Sequence, residues 1–133
     1  MAKREKEPQK IEWTILLTDK YPESRKFYVE TLGLAVEREV AKDQFCQMNI
    51  EGGFLAIYGR GEFEKLVGVE NVGSPGCAIY TFAESENIDA EYKKLKGKGV
   101  IFIKVPTTQP WGQRTAYFTD PDGHIWEIQQ WVK

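Results

Sequence analysis

The sequence predicts an α+β fold built from two consecutive βαβββ modules, and three observations lead to this prediction. A β-branched and aromatic segment at 11–19 has a counterpart at 76–84, and each ends in an acidic residue that precedes a helical stretch. Three short strand-like segments follow each helical stretch. An Asp-Pro-Asp-Gly turn at 120–123 separates the last two segments of the second set, which therefore form a hairpin.

The first module is predicted to span 11–58, after a charged arm at 1–10. Its helix begins near Pro22, because proline suits the first helical turn, and ends at Gly33, because glycine commonly follows a helix. The strands that follow are predicted at 34–40, 45–49 and 54–58.

The second module is predicted to span 76–133, after a linker at 59–75 that is rich in glycine and charge. The linker holds only a short helical stretch at 63–67. The helix of the second module is predicted to begin near Ser85, as its N-cap, and to end near 98–99. Its apolar face is formed by Ile88, Tyr92 and Leu95. The strands that follow are predicted at 100–104, 115–118 and 125–130.

The composition indicates one globular domain at 11–133. The chain of 133 residues is 41% hydrophobic and 13% aromatic, which is enough to bury a core without disulfides. We expect Cys46 and Cys77 to be free, buried thiols. The net charge of −2 comes from interleaved acidic and basic residues, so the chain lacks the basic footprint of a nucleic-acid-binding protein. Its apolar runs are too short to cross a bilayer and its first residues are charged, so we expect a cytoplasmic protein that binds small molecules.

Three features together resemble the vicinal oxygen chelate superfamily: the repeated module, the Phe-Thr-Asp-Pro-Asp-Gly hairpin at 118–123, and Glu127 four residues after Gly123. That superfamily includes glyoxalase I, bleomycin-resistance proteins and extradiol dioxygenases. The segment 21–34 also looks like the family's first helix and its exit. The resemblance implies a cup-shaped, partly open mixed β-sheet with the helices packed outside, and a homodimer.

The resemblance also implies four strand positions that supply metal ligands in the family. Carried onto this sequence, these positions are Glu12, Ile57, Cys77 and Glu127. Isoleucine cannot ligate a metal, and a thiolate mixed with two carboxylates suits neither a soft nor a hard cation. We therefore expect no cofactor, with Glu12 and Glu127 lining a polar pocket held by Arg114, Gln129 or water. The alternative is a divalent metal bound by Glu12, Cys77 and Glu127.

The segment 107–114 resembles the loop that borders the binding crevice in bleomycin-resistance-like members. Trp111 offers a stacking surface, and Arg114 offers a cation for a ligand carboxylate or for Glu127. The alternative for Trp111 is burial in the core or in a subunit interface. We expect Trp13 to face the helices in the core, and His124 to be a polar residue beside the turn. The predicted crevice is lined by Phe45, Tyr58, Trp111 and Tyr117.

Two functions remain open at this point. The first is a metal-free, dimeric binding protein that sequesters an antibiotic or another aromatic ligand. The mild net charge favours a neutral or anionic aromatic ligand over a cationic glycopeptide. The second is a divalent-metal-dependent lyase, isomerase or dioxygenase of the glyoxalase kind.

Overall fold

The computed structural model describes residues 11–68, 70 and 78–132, and its eight strands form two four-stranded sheets. In the first sheet the order is β1 (Trp13–Thr18), β4 (Phe54–Gly59), β3 (Phe45–Met48) and β2 (Val36–Val40). In the second sheet it is β5 (Ile79–Thr81), β8 (Ile125–Trp131), β7 (Gln113–Thr119) and β6 (Ile101–Thr108). The first strand of each module runs parallel to the last, and the other pairs are antiparallel. The predicted two-module α+β fold is confirmed.

The helices largely follow the predicted starts and stops. Helix α1 (Tyr21–Lys26) carries proline in its first turn and continues as a π-helical turn (Phe27–Thr31), and Gly33 follows at a φ of 78°. Helix α2 (Arg60–Val67) occupies the predicted linker. None of the helices among the described residues combines the length and the apolar character that a membrane span requires.

Helix α3 (Ile88–Gly97) begins two residues later than predicted. Its N-cap is Asn87, whose Oδ1 accepts a hydrogen bond from the Ala90 amide at 3.1 Å. Ser85 lies outside the helix, and its hydroxyl accepts from the Asn87 amide at 3.2 Å. The prediction of Ser85 as the cap was wrong because serine and asparagine both suit this position, and the chain offers both within three residues.

One apolar core is shared by the two sheets and the helices. It contains Leu16, Cys46, Met48, Leu55 and Ile57 from the first sheet and Ala116, Phe118, Trp126 and Ile128 from the second. The π-helical turn after α1 packs against the second sheet, since the Phe27 ring lies 6.3 Å from Phe118 and the Tyr28 ring 6.0 Å from Trp126. Cys46 is buried and free, as predicted, whereas Cys77 lies outside the described residues. Because each sheet turns one face to this core, its other face points outward.

Strand alternation and the pairing registers define these two outward faces. The first outer face carries Trp13, Ile15, Leu17, Arg38, Val40, Phe45, Gln47, Phe54, Ala56 and Tyr58. The second outer face carries Ile79, Thr81, Ile101, Lys104, Thr107, Gln113, Thr115, Tyr117, Thr119, Ile125, Glu127, Gln129 and Trp131. The prediction that Trp13 lies in the core was wrong, because the core side of β1 carries Leu16 and Thr18, and Trp13 is 40% exposed.

Candidate functional site

A hydrogen-bonded carboxylate lies at the centre of the second outer face. The register aligns Thr81 and Tyr117 with Glu127, one on each neighbouring strand. The Tyr117 hydroxyl donates to one carboxylate oxygen of Glu127 at 2.5 Å, and the Thr81 hydroxyl donates to the other at 2.9 Å. The hydrogen bond to Glu127 raises the pKa of Tyr117. Hydroxyl groups therefore hold this carboxylate where the sequence had suggested Arg114, Gln129 or water.

A row of amides extends from this carboxylate to the loop before β7. Gln113 Nε2 donates to Gln129 Oε1 at 3.1 Å, and the Trp111 indole N–H donates to Gln113 Oε1 at 3.0 Å. Trp111 is 61% exposed although its indole N–H is bound. Trp111 is therefore not a core residue of this chain, and its ring is a fixed flat surface beside a polar floor.

Arg114 lies on the opposite face of β7 from Glu127. Its guanidinium contacts the Asp89 carboxylate of α3, with nitrogen–oxygen distances of 2.9 to 3.3 Å, and also donates to Thr108. The hydrogen bonds from Arg114 lower the pKa of Asp89. The predicted pairing of Arg114 with Glu127 is therefore wrong. Arg114 connects β7 to α3, and a role for Arg114 in ligand binding stays a prediction that this geometry does not support.

The first outer face is covered by a chain of aromatic rings, which we call the aromatic platform. Its members are Trp13, Phe45, Phe54, Tyr58 and Phe63, the last of which belongs to α2. Neighbouring ring centres lie 4.9 to 6.5 Å apart. Ala56, in the middle of this face, is fully buried. A small side chain at that position leaves room for the larger rings to cover the sheet. The predicted ligand residues Phe45 and Tyr58 are thus neighbours, and the structure adds three further rings to them.

The predicted equivalence of Ile57 and Glu127 was wrong by one residue. It rested on aligning Gly53 with Gly123, but Gly52 has the matching conformation, with a φ of 84° against 93° for Gly123. Since side chains alternate along a strand, a slip of one residue moves every position to the other face. Ile57 is accordingly buried in the core, and Ala56 is the residue of β4 that corresponds to Glu127.

The described part of the predicted metal set does not fit a divalent cation. The Glu12 carbonyl accepts from the Phe54 amide at 2.7 Å, which extends the β1–β4 ladder by one residue. Alternation then gives Glu12 the core-side parity of Thr14 and Leu16, whereas Glu127 lies on an outer face. The outer-face residues near the predicted ligand positions are Trp13, Ala56 and Ile79. None of these side chains can ligate a metal. Cys77 lies outside the described residues, so its part in the metal set stays a prediction.

Another group of titratable residues, which the sequence had indicated only as a turn with a polar residue beside it, lies at the Asp-Pro-Asp-Gly turn. Asp120, Asp122 and His124 present oxygen or nitrogen atoms within 4.8 Å of one another. Asp120 Oδ1 accepts from the Asp122 and His124 amides, and Oδ2 contacts the Tyr28 hydroxyl at 2.6 Å and His124 Nδ1 at 2.7 Å. Protein donors thus already occupy both carboxylate oxygens of Asp120, and we interpret the cluster as structural.

The Asp120 cluster joins the two modules. The Tyr28 hydroxyl, on the π-helical turn of the first module, accepts from the Trp126 indole N–H at 3.0 Å while donating to Asp120. Burial alone would raise the pKa of Asp120, but hydrogen bonds from His124 and Tyr28 outweigh it and lower the pKa. Burial also raises the pKa of Tyr28. His124 is therefore a buried part of the core rather than only a polar residue beside the turn; the sequence signal was its position directly after a turn rich in carboxylates.

Comparison with known proteins agrees with this architecture. The family model described as Glyoxalase/Bleomycin resistance protein/Dioxygenase superfamily matches residues 10–128. A solved glyoxalase-related enzyme from Fulvimarina pelagi is 25% identical, with a TM-score of 0.79 over 92% of this chain and 88% of that one. A member of the same superfamily from Sphaerobacter thermophilus is 26% identical, with a TM-score of 0.70 over 92% and 98%.

A lactoylglutathione lyase from Agrobacterium tumefaciens shares the fold at a TM-score of 0.75, over 94% of this chain and 96% of that one. Its identity to this chain is only 16%, so this likeness concerns the fold alone. The family model, by contrast, covers nearly the whole chain and includes the hairpin and Glu127. The chain therefore belongs to the glyoxalase/bleomycin resistance protein/dioxygenase superfamily.

Proposed function

We propose that this protein binds a small molecule, without a metal, in a crevice between the first outer face of one copy and the second outer face of another. Members of the superfamily commonly form dimers and bind small molecules. The proposal places the aromatic platform on one side of the ligand and the Glu127 carboxylate, the amide row and Trp111 on the other.

Exposed apolar side chains on both outer faces support the need for a second copy. On the first face they include Trp13, Ile15 and Phe54, and on the second Ile79, Ile101 and Trp131. Monomeric proteins rarely expose contiguous apolar surface of this kind unless it binds something. The two faces point away from the single core, so one chain cannot cover its own faces, whereas a two-fold pair can cover both.

The observation that carries the binding function is the construction of the second outer face. Glu127 keeps free lone pairs after accepting from Tyr117 and Thr81, and Gln113 and Gln129 have amide groups fixed by each other. The exposed indole of Trp111 is held beside them. A few fixed polar groups next to aromatic surface are typical of small-molecule sites.

The test uses the neutral fluorescent probe N-phenyl-1-naphthylamine. We expect the wild-type protein to bind it, and Trp111→Ala to weaken the affinity by about 1–3 kcal/mol through loss of a stacked aromatic contact. Leu66→Ala is the matched control, because Leu66 is also an exposed apolar residue but lies on α2. Equal affinities of the wild-type protein and Trp111→Ala would contradict the proposed site.

A further inference from the structure

We propose that the ligand is a planar aromatic carboxylate, stacked on the aromatic platform with its carboxylate group on Arg38. This inference rests on the proposed binding function and adds the chemical class of the ligand. It follows from the position of Arg38, from the absence of a partner for its guanidinium among the described residues, and from the aromatic platform beside it.

The register of β2 directs Arg38 to the first outer face. Arg38 pairs with Gln47, whereas the next residue, Glu39, pairs with the buried Cys46. Glu39 reaches α1, where it accepts from Arg25 at 2.6 and 2.9 Å and from the Tyr21 hydroxyl at 3.0 Å. Successive side chains of a strand point to opposite sides. Arg38 therefore points away from α1, toward the side of the sheet that carries the platform.

Arg38 differs from the other arginines that the structure describes. Arg25 pairs with Glu39, Arg60 with Asp19, and Arg114 with Asp89. Arg38 is exposed and forms no hydrogen bond or ion pair with any described residue. Its planar guanidinium presents a fork of donors that matches a carboxylate. The other three described arginines use their guanidinium donors within the chain. The donors of Arg38 remain available to a group outside the described residues.

Charge complementarity on this face favours an anion. Among the strand residues that the structure describes on the first outer face, Arg38 is the only charged one, and none is a carboxylate. Besides Glu39, which binds Arg25 on the other side of β2, the charged neighbours in the chain are Glu37, in the bulge between Val36 and Arg38, and Lys42 and Asp43 in the turn that follows β2. A cation stacked on the platform would meet the guanidinium without a compensating charge. An anion would instead form an ion pair with the guanidinium.

The distance between Arg38 and the middle of the aromatic platform suits a ligand of one or two fused rings. Arg38, Gln47, Ala56 and Ile15 form one row across the sheet. Neighbouring strands are about 4.8 Å apart, so the backbone of Arg38 is about 10 Å from the middle of the platform. An arginine side chain spans much of that distance along the sheet. Gln47 lies between them and offers an amide donor to the same carboxylate group.

The experiment compares 2-naphthoate with 2-naphthamide, its neutral isostere, by isothermal titration calorimetry. We expect the wild-type protein to bind naphthoate more tightly, and Arg38→Gln to weaken naphthoate by at least about tenfold while leaving naphthamide unchanged, as for loss of a charge-assisted hydrogen bond. Trp13→Leu should weaken both compounds, because it removes a ring of the platform. Lys26→Gln, an exposed charge change on α1, is the matched control. Thermal unfolding checks that each variant is folded.

Equal affinity of the wild-type protein for both compounds would overturn the inference, and so would an equal loss in Lys26→Gln, which would indicate non-specific attraction. Binding of N-phenyl-1-naphthylamine in a Trp111-dependent manner, with no binding of naphthoate, would refute the aromatic carboxylate while the proposed function stands. Failure of all three probes would contradict both. Binding of naphthoate that does not depend on Trp13 would separate Arg38 from the platform and also overturn the inference.

Discussion

The two modules have the same framework but different outer faces. In both sheets the core side carries aliphatic and aromatic residues that pack on the helices, such as Ile57 in the first and Ile128 in the second. The first outer face is a row of rings with one guanidinium, whereas the second is a hydrogen-bonded carboxylate with amides. At equivalent positions in the two sheets, the first has Ala56 and the second has Glu127. The buried faces maintain the fold, and the outer faces are where the two halves can acquire different chemistry.

This difference bears on the proposed crevice, which uses the outer faces of both modules. The aromatic platform offers stacking area and one positive group, but no carboxylate. The second outer face offers hydrogen-bonding groups that the first lacks. A ligand held between a first outer face and a second outer face contacts both kinds of surface, which one sheet cannot supply.

The largest expected effect is on dimerisation, in which the first outer face of one copy would cover the second outer face of another. Ile15→Glu on the first face and Ile101→Glu on the second should each raise the dimer dissociation constant by about 100-fold or more, because a charge would be buried without a partner. Light scattering after size-exclusion chromatography measures the mass. Leu66→Glu, which lies on α2, should leave the dimer intact. A wild-type protein that is monomeric at micromolar concentration would show that the faces are not paired in this way.

A second, smaller effect compares the turns that close the two modules. Only the second turn carries the Asp120 cluster, so Asp120→Asn should lower the free energy of unfolding by about 1–3 kcal/mol at neutral pH. The pKa of Asp120 is lower in the folded protein than its ordinary value of 3.8, so its contribution is present above that value and is lost as the pH falls through the folded pKa. Urea unfolding should therefore show the wild-type protein and Asp120→Asn converging below about pH 4.

The matched control for this effect lies in the first module. Tyr28→Phe removes a hydroxyl that Asp120 and Trp126 both use, whereas Tyr58→Phe removes a hydroxyl on the outer face. Only Tyr28→Phe should lower stability appreciably. A constant difference between the wild-type protein and Asp120→Asn at every pH would show that the Asp120 charge does not contribute.

The smallest effect is confined to the second outer face. Glu127→Gln should lower the pKa of Tyr117 toward its ordinary value near 10.0, because an amide is a weaker acceptor from the hydroxyl and carries no charge. Ultraviolet titration of tyrosinate, with Tyr117→Phe to identify the signal, measures this change. Ala56→Gln is the counterpart in the first sheet and should leave the Tyr117 pKa unaltered. An unchanged pKa in Glu127→Gln would mean that the short contact does not persist in solution.

The sequence by itself determined the two-module α+β fold, the order of the elements, the turn at 120–123 and the superfamily. These features depend on local patterns such as Pro22, Gly33 and alternating apolar residues, which short stretches of chain specify alone. It also indicated Phe45 and Tyr58 as candidate ligand residues, which stays a prediction, and it could not show that their rings are neighbours.

Only the tertiary structure decided which face of each strand is buried. Strand parity is a property of the whole sheet: Gly52 and Gly53 both suit a positive φ, and the choice between them moved Ile57 to the opposite side from that predicted. Trp13 likewise lies on the opposite side of β1 from that predicted. Long-range pairing likewise decided the partner of Arg114 and the contact of Asp120 with the first module. The contacts of Arg114 with Asp89 and of Asp120 with Tyr28 join residues far apart in the chain, and no local pattern encodes contacts at that separation.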